Sequence, residues 1–202
     1  MDVLLDVGRL LKLQTDFVVK WHAGPVHNPE SAAPWKLVLD NHARNFELWH
    51  EEDRARDKQA TDAIIANVKR SIDRLNQQRN DAMERVDEWV VQALSTRPNK
   101  AAPDAPLNSE TVGNIVDRLS ILALKVFHMR EETQRTDVDE AHRAKCRERL
   151  QILESQRADL GIALKAFIED LSSGRKRLKV YRQMKMYNDP TLNPVLYGKQ
   201  GK

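Results

Sequence analysis

Apolar side chains recur at helical spacing along most of the chain. Val3, Val7, Leu10, Leu11, Phe17 and Val18 share one side of residues 2–21, which predicts a first helix. The next segment, "HAGPVHNPESAAP" (22–34), carries three prolines, one glycine and no period, and reads as a loop. From Trp35 to Arg97 there is neither glycine nor proline. One helix of that length is out of proportion to a globular domain. Two are therefore predicted, over 35–58 and 62–96, joined near 57–62, with Thr61 or Asp62 capping the second. The second carries one long stripe through Ile64, Val68, Ile72, Leu75, Ala82, Val86, Val90 and Leu94.

"STRPNKAAPDAPLNS" (95–109) is a proline-rich surface linker, and Ser109 or Asn114 is expected to start the next helix, 112–134. Within it "IVDRLSILALKVFHM" (115–129) is apolar almost all round, so it should be buried on most sides. Residues 138–173 form a long helix. Its seam of Cys146, Leu150, Leu153, Arg157, Leu160, Leu164, Phe167 and Leu171 alternates spacings of four and three. Gly174 is the natural stop. The chain then runs through a basic segment into Asn-Asp-Pro and Asn-Pro turns. The fold class expected is all-α: a single-domain bundle of five or six helices with a long C-terminal helix. Residues 1–174 form the bundle, and 175–202 are an extended basic tail that packs on it or projects from it. No internal repeat is visible.

Composition narrows this picture. At 31% charged and 41% hydrophobic, the chain is rich in charge yet has enough apolar surface for a core. No apolar run approaches the roughly 18 residues of a membrane helix. The start "MDVLLDVGRLLKLQ" lacks the basic onset and continuous apolar stretch of a secretion signal. A single cysteine, Cys146, excludes an internal disulfide framework and a multi-cysteine zinc site within one chain. It suits a reducing compartment, so a cytoplasmic location is expected. The net charge of +3 hides an asymmetry. Residues 175–202 hold eight Lys/Arg and one acid, for +7, whereas the other 25 basic and 29 acidic residues sum to −4. A basic tail on an acidic body reads as solvated surface, and nucleic acid is not an expected partner.

The candidate chemistry lies in polar residues that are expensive for helices. In "FELWHEEDRARD" (46–57), Glu47, His50, Glu51, Arg54 and Asp57 fall on one face about 120° wide, beside Phe46 and Trp49, which should face the core. On the next helix Asp73, Asn76, Asn80, Glu84 and Asp87 form a stripe about 80° wide flanking the apolar one. Asp and Asn are weak helix formers, so Asn76 and Asn80 in mid-helix point to side-chain hydrogen bonds with another helix, a ligand or water. The apolar helix adds Asp117, Ser120, Lys125 and His128. Asp117, Ser120 and His128 share a face, and the buried charges need partners.

Metal chemistry finds weak support. Glu47-Leu-Trp-His50 has the Glu-x-x-His spacing of di-iron bundles, and Asp139-Glu-Ala-His142 resembles it. Such a site also wants inward glutamates from other helices, and the first helix offers only Asp2, Asp6 and Asp16. Glu47, Glu51, Glu84 and Asp87 loosely imitate the acids with which helical nucleotide pyrophosphohydrolases hold Mg²⁺. No residue is assigned to a metal, and no cofactor is specified. There is no Gly-rich phosphate loop, Gly-x-Ser-x-Gly or zinc spacing. Cys146 reads as a small hydrophobe on the seam rather than a nucleophile. His22, His27 and His42 read as incidental residues in or near a loop.

Four blocks, "FELWHEEDRARD", "KRSIDRLNQQRNDAMERVD", "VDRLSILALKVFHM" and "KVYRQMKMYNDPTLNPVLY", together resemble the bacterial family catalogued as domain of unknown function 4254, over about residues 35 to 197. The resemblance implies that His50, Glu51, Asp53, Arg54, Asp73, Asn76, Arg79, Asn80, Asp117, Lys125 and the Asn188–Pro190 turn belong to the family pattern. It also implies an association with glycosyltransferase and surface-polysaccharide gene neighbourhoods, but no reaction.

The leading expectation is a polar pocket lined by helices 35–58, 62–96 and 112–134 that takes an anionic or sugar-like small ligand. Arg54, Asp73, Asn76, Arg79, Asn80, Asp117 and Lys125 are its binding candidates. His50 or Glu51 is the acid/base group if the protein is an enzyme. Two other readings stand beside it. One is an interaction protein, such as a homo-oligomer, whose polar stripes are inter-helix networks. The other is metal-dependent nucleotide pyrophosphohydrolysis.

Overall fold

The computed structural model describes residues 4–182, 186 and 189–198. These form six helices and no strand: α1 (Val7–Ala23), α2 (Trp35–Ala55), α3 (Asp62–Ser95), α4 (Val112–Gln134), α5 (Glu140–Ser172) and the short α6 (Pro194–Tyr197). The fold is the all-α bundle that the periodicity predicts.

Side-chain caps set where α1, α3, α4 and α5 begin. Asp6 accepts a hydrogen bond from the Arg9 amide at 3.1 Å, so α1 starts later than the apolar pattern alone suggests. Thr61 caps α3 through the Ile64 amide, at 3.4 Å. Thr111, rather than Ser109 or Asn114, caps α4, accepting from the Asn114 amide at 3.2 Å. Asp139 caps α5 through the His142 amide at 2.8 Å, so its i,i+3 relation to His142 is that of a cap. Gly174, at φ +76°, ends α5. It leaves Arg175 free to donate its amide to the Asp170 carbonyl at 2.9 Å.

α4 is the centre of the bundle. It packs against α1, α2, α3 and α5, which is why its sequence is apolar on nearly every side. α2 with α3, and α4 with α5, form the two most extensive pairs. The main core joins Leu10, Val38, Val86, Val90, Val116, Leu119, Leu164 and Phe167. Fully burying each such side chain stabilises by about 1.5–3 kcal/mol. A second cluster gathers Phe17, Trp21, Leu39, Phe46 and Leu124, and a third gathers Leu48, Val68, Ile72 and Leu75 between α2 and α3. The α5 seam holds from Leu164 to Leu171, where it is fully buried. Leu150, Leu153 and Arg157 are half-buried.

The first part of the basic tail docks on the α3–α4 linker. The Arg177 amide donates to the Pro106 carbonyl at 3.2 Å and its Nε to the Ala105 carbonyl at 2.8 Å, while Leu178 packs on the main core. Tyr187 and Asn188, and with it part of the expected Asn188–Pro190 turn, lie outside the described residues. Among the described residues, no helix is long and apolar enough to cross a membrane.

Candidate functional site

Asp117 is the hub of the buried polar core. Its side chain is 2% exposed and receives four donors. Asn41 and Asn45 donate from Nδ2 at 3.0 and 2.8 Å, Arg79 Nε donates at 2.8 Å, and Arg79 Nη2 meets the second carboxylate oxygen. This is a two-pronged guanidinium–carboxylate pair, the strong form of the ion pair. The bond to Asp117 holds the Arg79 pKa above its ordinary value. Asn45 also donates to Ser120 Oγ at 3.0 Å, and His42 Nδ1 lies 2.7 Å from the same hydroxyl. Complete burial lowers the His42 pKa to about 3, the Gln14 main chain acting in the opposite direction. His42 is therefore a neutral core residue in mid-helix, a correction to its reading as incidental. Gln14 Nε2 donates to the Val116 carbonyl at 3.1 Å, and its buried Oε1 has no partner among the described residues.

Above this network α2, α3 and α4 enclose a cleft of about 420 Å³. Trp49, Leu48, Ile121 and Leu124 form its apolar side. Asn45, Glu52, Asp53, Arg56, Asn76 and Arg79 supply its polar groups. Arg56 pairs with Glu52 at 3.1 Å, and Arg79 with Asp117 beneath, so both guanidinium groups of the lining are already paired.

On the far side of Trp49 three imidazoles meet. His22 ends α1, His50 lies in the second half of α2, and His128 lies towards the end of α4. One ring nitrogen from each lies within 4.8 Å of the others. Phe127 stacks on His22 at 4.2 Å and Trp49 on His128 at 4.8 Å, while Phe46 stands edge-on to both His22 and His50. Burial first, then the neighbouring His22 and His128, hold the His50 pKa below its ordinary value. A second group, Glu132, His142 and Cys146, lies where α4 meets α5. There His142 Nε2 is 3.1 Å from Glu132 and 3.4 Å from the buried thiol.

Of the residues singled out from the sequence, Asn76 and Arg79 line the cleft, and Asp117 lies beneath it as the partner of Arg79. His50 faces the imidazole cluster. Glu51 pairs with Arg54 at 2.6 Å, and Arg54 is 61% exposed. Asp73 is exposed and paired with Lys69. Asn80 is half-buried on α3. Lys125 is exposed and lines a groove between α4 and α5 with His128 and Arg149. Glu47 pairs with Arg44 at 2.8 Å, and burial raises its pKa. Asp87 is buried against the start of α4, where it accepts the Gly113 amide at 2.7 Å. That burial raises its pKa, while hydrogen bonds from Thr111 and Gly113 oppose the shift. The expected stripe of Asp73, Asn76, Asn80, Glu84 and Asp87 thus runs from solvent to core.

Asn45, Glu52 and Arg56 are the α2 cleft residues that neither the charge-rich face nor the family pattern marks; they line it with Trp49 and Asp53. The five follow one another at steps of four, three, one and three, the rhythm of a helix's inward face. Polar residues at that rhythm, together with Asn41 and His42 one turn earlier, mark a second polar face of α2 beside the charged one centred on Glu47.

Comparison with known proteins adds one finding. No curated protein and no solved structure matches the chain. A family model matches residues 35–180, which hold α2 to α5 and every cleft residue described above. The chain therefore belongs to the family described as "Protein of unknown function (DUF4254)".

Proposed function

We propose that the protein binds a hydroxyl-rich, sugar-like small ligand in the α2–α3–α4 cleft. The observation that carries this reading is the lining itself. One indole ring lies beside two carboxamides, two carboxylates and two guanidinium groups in about 420 Å³, a volume in the range of small-ligand sites. An aromatic face suits the C–H side of a sugar ring, and paired donors and acceptors suit neighbouring hydroxyls. The anionic ligand also expected from the sequence finds less support. Arg79 is bound to Asp117, Arg56 to Glu52 and Arg54 to Glu51, so none presents an unmatched cation. A hydroxyl-rich ligand agrees with a place in surface-glycan assembly.

His50 and Glu51 do not line the cleft, so acid/base chemistry on a ligand there would fall to Glu52 or Asp53. Pyrophosphohydrolysis finds no support in a three-residue acidic cluster. Among the described residues, Glu47, Glu51, Glu84 and Asp87 form no group close enough to share an ion. The interaction reading keeps one observation in its favour: on α5, Ile152 and Ile162 are 57% and 69% exposed.

The test is ligand-observed NMR with a panel of monosaccharides, nucleotide sugars and inorganic phosphate, on the wild type and on Asn76→Ala and Asp53→Ala. Saturable binding of a sugar, weakened at least about tenfold in either variant while the circular dichroism is unchanged, is the expected result (about 1.4 kcal/mol, the scale of one hydrogen bond). Binding of phosphate alone, or of no panel member, refutes the reading.

A further inference from the structure

His22, His50 and His128 come from three different helices and converge at one end of the bundle. Neutral imidazole is a ligand for first-row divalent ions, and three imidazoles with one open position are a donor set used for zinc. Two of the three rings are already oriented for this. His22 Nδ1 lies 2.7 Å from the Val18 carbonyl, and His128 Nδ1 lies 3.0 Å from the Glu131 carboxylate. A carbonyl or carboxylate on Nδ1 fixes the tautomer with hydrogen on that atom and leaves the lone pair on Nε2, as in metal-bound histidines. His128 Nε2 is then a buried acceptor, and among the described residues it has no hydrogen-bond partner. Leaving such an atom unpaired is costly, so its lone pair asks for an occupant.

The surroundings point the same way. Phe46, Phe127 and Trp49 wall the cluster with rings that hold the imidazoles but cannot ligate. The three imidazoles meet one another edge-on, with ring centroids 5.0 to 5.9 Å apart, so their nitrogens converge without stacking face to face. The ligand atoms lie within 4.8 Å of one another. A tetrahedral ion with bonds of about 2.0–2.1 Å holds its nitrogens about 3.4 Å apart, so modest ring rotations close the set. The Glu132–His142–Cys146 group differs. Glu132 is bound to Arg135, and His142 Nε2 already bridges Glu132 and the thiol, so each of its three residues has a partner.

We infer that His22, His50 and His128 form a binding site for a divalent transition metal, zinc or a zinc-like ion, with the fourth position open to water or an exchangeable ligand. The site is separate from the sugar-like ligand cleft, and Trp49 stands between them.

Chelator-stripped full-length protein is titrated with Co²⁺ and Zn²⁺, followed by calorimetry and, for cobalt, by visible absorption. The expected result is 1:1 saturable uptake, with the intense absorption of four-coordinate cobalt. His22→Ala should weaken it by more than about 100-fold, beyond what losing a mere supporting partner costs. His22 is an exposed residue in the last turn of α1, so this variant is expected to keep its fold, checked by circular dichroism. His50→Ala and His128→Ala should weaken uptake similarly, and His142→Ala should leave it unchanged. Absence of saturable uptake by the wild type overturns the inference. So does uptake that survives His22→Ala or that is lost in His142→Ala.

Discussion

Asp117 shows how one residue type in a helix core dictates what surrounds it. An ionised carboxylate at 2% exposure is tolerable because Arg79, Asn41 and Asn45 all turn donors towards it. Removing it strands the half-buried guanidinium, and breaking a buried pair in this way costs about 3–5 kcal/mol. Asp117→Ala is therefore expected to lose that much in urea unfolding, and Arg79→Ala a comparable amount by stranding the carboxylate. A loss under about 1 kcal/mol for both would show the pair to be solvated. His42 makes a different prediction. Its pKa falls from 6.5 in the unfolded chain to about 3 in the fold. The unfolded chain alone takes up the proton between these values. The stability this histidine permits is thus full above pH 6.5 and declines by about 1.4 kcal/mol per pH unit as the pH falls towards 3. His42→Leu leaves Ser120 bonded to Asn45 and should remove that slope from the acid limb of a stability–pH profile. A profile parallel to the wild type's would refute the assignment.

The start of α4 depends on α3. Thr111 caps it, Asp87 accepts the Gly113 amide, and a Cβ on Gly113 would overlap the Met83 carbonyl. Backbone cannot yield as a flexible side chain can, so Gly113→Ala must push the two helices apart. A cost of about 1–3 kcal/mol in chemical denaturation is expected, as for overpacking elsewhere. Gly24, just beyond α1, is the control. A Cβ there meets the Lys20 carbonyl at an ordinary 3.8 Å, and Gly24→Ala should change stability by no more than about 0.5 kcal/mol. Equal effects at the two glycines would mean that α3 and α4 are not in contact at Gly113. The helices themselves were legible because caps and the 3.6-residue period act within a few residues of sequence. Thr61, Gly174 and the all-apolar face of α4 could each be read without knowing any neighbour.

The molecule as a whole is a bundle threaded on α4, with the first residues of the basic tail tied to the α3–α4 linker. Deleting residues 175–202 removes the Leu178 packing and the Arg177 bonds to Ala105 and Pro106. The truncated bundle is expected to fold with about 1–2 kcal/mol less stability, the scale of one partly buried leucine. Its 95–111 linker should be cut faster in limited proteolysis. An unchanged melting curve and cleavage rate would mean that the tail does not dock in solution.

What can be known before folding is whatever neighbours in sequence settle among themselves. The positions of α1 to α5, the central role of α4 and the presence of costly polar residues on α2, α3 and α4 are of that kind. Which polar residues meet is not, because a helical wheel gives each side chain an angle but no partner across the gap. The face of α2 centred on Glu47 is rich in charge, yet Arg44 pairs with Glu47 and Arg54 with Glu51 along the helix itself. The inward rhythm from Asn45 to Arg56 became a cleft only when Asn76 and Arg79 of α3 closed over it. His22, His50 and His128 are unrelated in sequence, and packing α1 and α2 against α4 is what brings their ring nitrogens within reach of one ion.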